Sequence, residues 1–327
     1  MIFSALLILA TGFLFVAWRL GRRRRRALAW RRWVLAVGVF LCGFMGLLGL
    51  VSSGYMFWYT HRSQPEAVRE ELFRGISYAR EVRSSPREMV IHAVTIDLHS
   101  PGVRFFVTPG KPTAGCDLSA MKTSGFLKKF KLQMAINANY FYPFRSESPW
   151  DYFPHTGDGV NVCGFAASEG NVYSNKSWRP GTLYISKENR ATFDTPMGAV
   201  YNAISGGGFI LKDGVVQPPP LIADEKDQPY PRAALGLSKD RERMFLFVID
   251  GKQPGYSMDA TLTELGQIVL EHGAEDAIRL DEGGSCALAA EDLGGGVRML
   301  NVPINNRIPY RERVVANQLG VFAERVR

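Results

Sequence analysis

Met244-Phe-Leu-Phe-Val-Ile-Asp250, followed by Gly251-Lys-Gln-Pro-Gly-Tyr-Ser257, and Ala277-Ile-Arg-Leu-Asp281, followed by Glu282-Gly-Gly-Ser-Cys286, decide the fold of this chain. Each is a short apolar run bounded by turn residues, the pattern of a buried strand, and each ends in an aspartate. The segment between them reads as a helix. Thr261-Leu-Thr-Glu264 is a capping box, in which hydroxyl and carboxylate satisfy amides that lack intrahelical partners. Gly273 ends the helix, and Leu262, Leu265, Ile268 and Val269 share one face. If the two strands are parallel, the helix is their crossover and both finish at the same edge of one sheet. Asp250 and Asp281 then share the rim where open sheets place ligands. Two carboxylates there, beside glycines that let a ligand reach the backbone, suit acid and base work on a polar molecule. A plain turn role for either aspartate is the competing reading.

The composition narrows the class. With 46% hydrophobic residues, the 327-residue chain has ample material for a folded core. Its formal charge of +8 is local: the first 60 residues hold eight arginines and no acid, and the remaining basic residues balance the acidic ones. That distribution gives no support to phosphate-backbone binding, so nucleic acid is not an expected partner. The arginines, Arg19 to Arg32, lie between the apolar spans Ile2–Trp18 and Trp33–Tyr59. This is the pattern of a two-helix transmembrane hairpin (residues 1–60) with a cytoplasmic arginine loop, and it places everything after Tyr59 outside. No basic region precedes the first span, which argues against a signal peptide. The expected location is a bacterial inner membrane, with the C-terminal domain periplasmic or extracellular. Cys42 falls in the second span, and Cys116, Cys163 and Cys286 are too few for a disulfide framework, although one pair is open to them. Their spacing fits no zinc site, and no cofactor is expected; a divalent metal is left open.

Residues 61–75 read as a juxtamembrane spacer with a short helix over Glu66–Phe73, and residues 76–327 as one α+β domain with a mainly β core. Met89–Leu98 is a β-branched strand, and Val103–Thr108 follows a Ser-Pro-Gly turn as its expected hairpin partner. His92 is a strand residue facing solvent or a hydrogen-bonding neighbour. Asn137 and Asn139 alternate along an apolar strand, so both amides face one way, toward a ligand or toward neighbouring loops. The aromatic loop from Trp150 to Gly159 carries rings suited to stacking on a sugar, with His155 as a donor; packing of the loop by its own rings is the alternative. Ser205-Gly-Gly-Gly208 marks a bulge or a close backbone approach. Residues 217–231 form an exposed, proline-rich loop, and Arg232 just beyond it has the planar fork that grips a phosphate or carboxylate, or else a surface ion pair.

Six separated stretches then fall into one pattern: Ala135-Ile-Asn-Ala-Asn-Tyr-Phe141, Ser205–Gly208, Pro231-Arg-Ala-Ala-Leu-Gly236, Asp250–Ser257, Leu280-Asp-Glu-Gly-Gly-Ser285 and Val315-Ala-Asn-Gln-Leu-Gly-Val321. Together, over residues 76–325, they resemble the phosphodiester glycosidase domain family, which includes the enzyme that uncovers mannose 6-phosphate. The resemblance implies hydrolysis of a sugar whose anomeric carbon carries a phosphodiester, here a phosphate-linked or related envelope sugar. It implies Asp281 or Asp250 facing the anomeric centre or activating water; Glu282, beside Asp281, is a candidate further carboxylate of this chain's own. It also implies substrate contacts from Arg232, Asn137, Asn139, Ser205, Gly206, Gly207, Gly283, Gly284 and Ser285; Lys252, and His155 of the aromatic loop, are further candidate contacts. The chain departs from the family pattern at three points. Glu282 stands where glycine is usual, open to three placements (blocking the site, joining it, or pointing away). Lys252 replaces an arginine, and Ala138 a glycine. A tethered glycan-binding or envelope-assembly protein without turnover is the alternative function.

Overall fold

The computed structural model describes residues 2–24, 28–110, 115–148, 151–220 and 227–326. Trp150 of the aromatic loop, Arg25 and Arg26 of the arginine loop, and residues 221–226 of the proline-rich loop lie outside them. The chain divides into two compact units, Met1–Ser63 and Gln64–Arg327.

The first unit is a helical hairpin of α1 (Ile2–Arg24) and α2 (Ala29–Thr60). Gly38 lies against Leu20, Gly46 against Leu14, and Gly49 against Ala10, so the helices run antiparallel. A methyl group at Gly49 would come within 2.8 Å of Ala10 Cβ; the small residues are what let the two backbones approach. Both helices are long and apolar enough to cross a membrane, and their large side chains, among them Ile8, Trp33 and Phe40, are exposed.

The second unit is mainly β. Its largest sheet has eight strands in the spatial order Val68–Phe73, Ile76–Arg83, Met89–Asp97, Arg243–Ile249, Arg232–Leu237, Asp276–Arg279, Phe209–Lys212 and Val215–Val216. Arg243–Ile249 and Asp276–Arg279 both pair antiparallel with Arg232–Leu237, which lies between them. They are therefore parallel to each other, and the intervening helix α4 (Leu262–Glu271), which follows the short helix α3 (Thr123–Phe130) in the chain, is their crossover, as its sequence implies. The capping box of α4 is formed: Thr261 Oγ1 accepts from Glu264 N–H at 3.1 Å, and Glu264 accepts from Thr261 N–H at 2.8 Å.

Both faces of the central strands are covered. Met244, Leu246 and Val248 join one core, with Ile136, Leu288 and Leu319 of a five-stranded second sheet. Phe245, Phe247 and Ile249 join another core with Leu262, Leu265, Ile268 and Val269 of α4. That is why the Met244–Ile249 run is apolar at every position and shows no alternation.

Two local expectations are corrected. Val68–Phe73 is an edge strand paired with Ile76–Arg83, so the helix expected over Glu66–Phe73 does not form. Arg69 and Glu71 are exposed and alternate with the half-buried Val68, Glu70 and Leu72, which suits a strand with one wet face. Arg104–Val107 pairs with Gln318–Phe322 in the second sheet, and is not the hairpin partner of Met89–Asp97. The turn between them carries the chain from one sheet to the other across the shared core. All four cysteines are free thiols.

Thr261→Ala is expected to destabilise the domain by about 1 kcal/mol through loss of the cap, and Leu246→Ala, from the core between the sheets, by about 2–5 kcal/mol. Chemical unfolding of the two variants checks this order, which a reversed ranking would overturn.

Candidate active site

Strand polarity brings the ends of three neighbouring strands to one rim. Asp250 follows Ile249, Asp281 follows Leu280, and Arg232 begins the strand between them, opposite Ile249. The two sheets are joined here: Asp281 N–H donates to the Ala138 carbonyl at 2.9 Å, beside the asparagine motif of the second sheet. Asp250 and Asp281 thus share a rim as the sequence implies, but they occupy different environments.

Asp250 is saturated. Its Oδ2 accepts from Tyr256 at 3.2 Å and lies 3.0 Å from His92 Nε2, while its Oδ1 accepts from Asn301 at 3.2 Å and from Val302 N–H at 3.1 Å. His92 Nδ1 is 2.8 Å from the Tyr78 hydroxyl, so a buried Tyr78–His92–Asp250 chain runs inward from the rim. Of the two sequence readings of His92, the hydrogen-bonded neighbour is the one the fold adopts. A buried carboxylate with this many donors has its charge compensated and no lone pair directed at a ligand.

Asp281 is buried with fewer partners. Burial, opposed by a hydrogen bond from Ser285, the charge of Arg313 and the Glu282 amide, raises its pKa from the ordinary carboxylate value to about 6. Glu282 N–H donates to its Oδ1 at 2.9 Å. Arg313 also donates to Ser285 Oγ at 3.3 Å and stacks over Phe144, which fixes it beside the aspartate.

Glu282 points into the site. Its carboxylate is hydrogen-bonded to Arg232 Nη1 and lies 3.7 Å from Arg279 Nη1. Carbonyls hold the other ends of both guanidinium groups. Arg232 donates to Ala260 at 3.0 Å and Gln228 at 2.7 Å, and Arg279 to Gly207 at 2.9 Å. The Tyr140 hydroxyl is buried without a hydrogen-bond partner among the described residues, and burial, with Glu282 nearby, pushes its pKa well up, so it remains a proton donor.

The remaining expected contacts divide into supports and outliers. Asn137 spans the Asp281 turn, donating to the Asp281 carbonyl at 2.6 Å and accepting from Ala287 N–H at 3.0 Å. Asn139 accepts from Ser205 N–H at 3.1 Å and donates to the Cys163 carbonyl at 2.9 Å. Both amides therefore serve neighbouring loops. Ser205 Oγ bonds Thr182 and Phe165. Gly206 and Gly207 pass against Arg279, where a methyl group on Gly206 would meet the Arg279 carbonyl at 2.4 Å. Gly283, at φ +70°, turns beneath Tyr230, and Gly284 lies under Arg313. The Lys252 ammonium lies 3.7 Å from the Tyr230 ring centroid, next to this turn. His155 is not brought to the rim. It is half exposed and bonds Asp151 at 3.0 Å within its own hairpin, where Glu147, Asp151 and His155 hold ligand-type atoms within 4.8 Å of one another. A pocket of about 270 Å³ opens beside the rim, lined by Gly207, Arg279 and the Gln217–Pro220 segment; neither aspartate lines it.

Sequence reasoning passed over Tyr140, Arg279 and Arg313. Arg279 carried a usable signal, since a charged residue in an otherwise apolar buried strand needs a partner nearby. Tyr140 lies inside the asparagine motif. Nothing local marks Arg313.

The family model described as phosphodiester glycosidase matches residues 130–322, more than half of the chain. The chain belongs to this family. Among solved structures, a hypothetical protein from Synechocystis is similar at 16% identity and a TM-score of 0.61, over 80% of this chain and 64% of that one; the chain thus spans under two thirds of that protein. The catalytic domain of zebrafish N-acetylglucosamine-1-phosphodiester alpha-N-acetylglucosaminidase, auto-inhibited by its pro-peptide, aligns at 20% identity and a TM-score of 0.54, covering 81% of this chain and 86% of that one. A putative exported protein from Burkholderia pseudomallei reaches 14% and 0.50, over 73% and 75%. At these identities the likeness is one of fold. No curated protein matches.

The raised pKa of Asp281 has a consequence for stability. An unfolded aspartate titrates near 3.9, so neutral Asp281 favours the fold below about pH 3.9. That contribution, about 3 kcal/mol in all, is lost as the pH rises to about 6. Asp281→Asn is therefore expected to raise the melting temperature at pH 7.5 and to leave it nearly unchanged at pH 3.5; an equal shift at both pH values would contradict the assignment.

Proposed function

We propose that the chain is a membrane-anchored hydrolase of sugars joined through their anomeric carbon to a phosphodiester, with Asp281 as the carboxylate that activates water. The observation that carries this reading is the contrast between the two rim aspartates. Asp250 is saturated by four partners and holds the rim together. Asp281 has a pKa of about 6, suited to taking a proton near neutrality. Water attacks the anomeric carbon as its proton passes to Asp281, the bond to the phosphate oxygen breaks, and a free sugar and a phosphate monoester leave. Phosphate departs readily, so the site's main task is to stabilise a cation-like sugar and the charge on the leaving group. Arg232, Arg279 and the Tyr140 hydroxyl supply donors for that charge. Asn137, Asn139, Ser205 and the glycine turns position these groups, and Lys252 extends the positive rim.

The two apolar helices supply the anchor in this reading. The arginines between them favour a cytoplasmic loop, which puts the domain outside the membrane, where envelope sugars are its substrates. A second reading, a tethered glycan-binding protein without turnover, is favoured by Glu282, which already engages both arginines.

Two measurements test the proposal. Assayed on a panel of sugar 1-phosphodiesters, the full chain in detergent is expected to release sugar with kcat/KM rising through about pH 6, because the base acts when ionised. Asp281→Asn should lower the rate by about 10²–10⁴-fold. Saturable glycan binding with no release from any substrate would select the second reading. For topology, an alkaline phosphatase fused after Tyr59 should be active and a fluorescent protein that folds only in the cytoplasm should be dark; the opposite pattern overturns the anchor's orientation.

A further inference from the structure

The arrangement of Glu282 carries more than its identity does. Its side chain is 18% exposed, whereas those of Arg232 and Arg279 are each 4% exposed, so Glu282 is the outermost member of the group. The Nε atoms of both arginines are tied to carbonyls, as is Arg232 Nη2. Their Nη1 atoms come from adjacent strands and converge on one carboxylate. Tyr140, whose hydroxyl has no partner among the described residues, stands in the electrostatic field of the same three side chains and of Asp281. Two cations thus converge on the Glu282 carboxylate, supplied by the chain itself, with an idle donor in the same site.

We propose that Glu282 is a displaceable occupant of an anion site built by Arg232, Arg279 and Tyr140, and that the phosphodiester group of a substrate binds there only when the Glu282 side chain swings out. This rests on the reading of the rim as a phosphodiester site and adds how access to it is controlled. A carboxylate and a phosphodiester each carry one negative charge, so the exchange leaves the charge of the two buried arginines balanced. The two also offer oxygens in the paired geometry that guanidinium groups accept. The phosphodiester brings an additional oxygen for Tyr140, which the carboxylate leaves unpartnered. The monoester product carries nearly twice the charge near neutrality, so it competes with Glu282 more strongly than the substrate does. Glu282 is one residue from Asp281 and donates its backbone amide to that carboxylate, so the movement required is one of the side chain alone.

The test is titration of the full chain in detergent with inorganic phosphate at pH 7.5, followed by calorimetry, on wild type, Glu282→Gln and Glu282→Gly, with circular dichroism to establish folding. Removing the competing charge is expected to tighten phosphate binding by about tenfold or more in both variants. The gain should vanish when Arg279→Gln is added. Glu282→Asp, which keeps the charge but is one methylene short of the arginines, should fall between wild type and Glu282→Gln, and it decides the matter if the neutral variants do not fold. Unchanged or weaker phosphate binding in the folded variants overturns the proposal. The two readings fail separately. Tighter phosphate binding with no sugar release from any substrate leaves the anion site standing and removes the hydrolase, whereas sugar release by wild type with no gain in phosphate affinity does the reverse.

Discussion

The central strands of the large sheet are buried on both faces, and that constraint governs where chemistry can be placed. Between Met244 and Ile249 each side chain faces either the second sheet or helix α4, and an unpaired charge in either core would cost several kcal/mol. Charged groups are therefore displaced to strand ends. At one end Asp276 meets Arg241 and Lys212; at the other lie Arg232, Arg279, Asp281 and Glu282. Parallel alignment of two strands around an antiparallel third puts both aspartates and the intervening arginine on the same rim. The rim is also the place where the second sheet, through Ala138 and Asn137, is bonded to the first.

Two aspartates in equivalent positions differ because their neighbourhoods differ in donor count. Asp250 is surrounded by His92, Tyr256, Asn301 and the Val302 amide, and both of its oxygens are occupied by hydrogen bonds. At Asp281 burial outweighs the help of Ser285 and Arg313. Desolvation without full compensation leaves a carboxyl group whose charge state changes near neutrality, and such a group is suited to exchange a proton. The glycines around it have a matching physical role. Gly283 makes the left-handed turn under Tyr230, and Gly206 allows the Arg279 carbonyl to come within van der Waals range of the backbone.

Much of this frame was legible in the sequence because it depends on local pattern. The apolar run before Asp250, the capping box at Thr261 and the glycine at 273 set out a strand, a helix and a second strand, and the crossover rule then supplied the shared edge. What local pattern did not carry was pairing between distant segments. Arg104–Val107 has the strand composition expected of it, but its partner is Gln318–Phe322, more than 200 residues away, and composition does not name partners. Glu66–Phe73 was misread because a short charged segment satisfies a helix pattern and an edge-strand pattern equally well. In the site, the asparagines at 137 and 139 were found for their spacing, yet whether an amide meets a ligand or a backbone group depends on loops from residues 163, 205 and 287, which arrive only on folding. Arg313 comes from a loop with no motif, so no signal preceded the structure.

Glu282 shows how a single side chain in a glycine position can be tolerated in a crowded turn. Its own backbone is extended, at φ −127° and ψ −178°, so no left-handed strain arises, and the residue that does need a positive φ, Gly283, is retained. A carboxylate there would be costly beside the buried Asp281 alone, because two like charges would share one desolvated rim. Arg232 and Arg279 reverse that balance, and the reversal is mutual: without an anion the two guanidinium groups, which project from adjacent strands and are held by loop carbonyls, would repel each other in a buried site. One negative charge at this point therefore stabilises the turn, which is indifferent to whether the chain or a ligand supplies it. That indifference is what makes the position of Glu282 a control point for the rim, with glycine at 283 and 284 allowing the turn to hold its shape while the side chain moves.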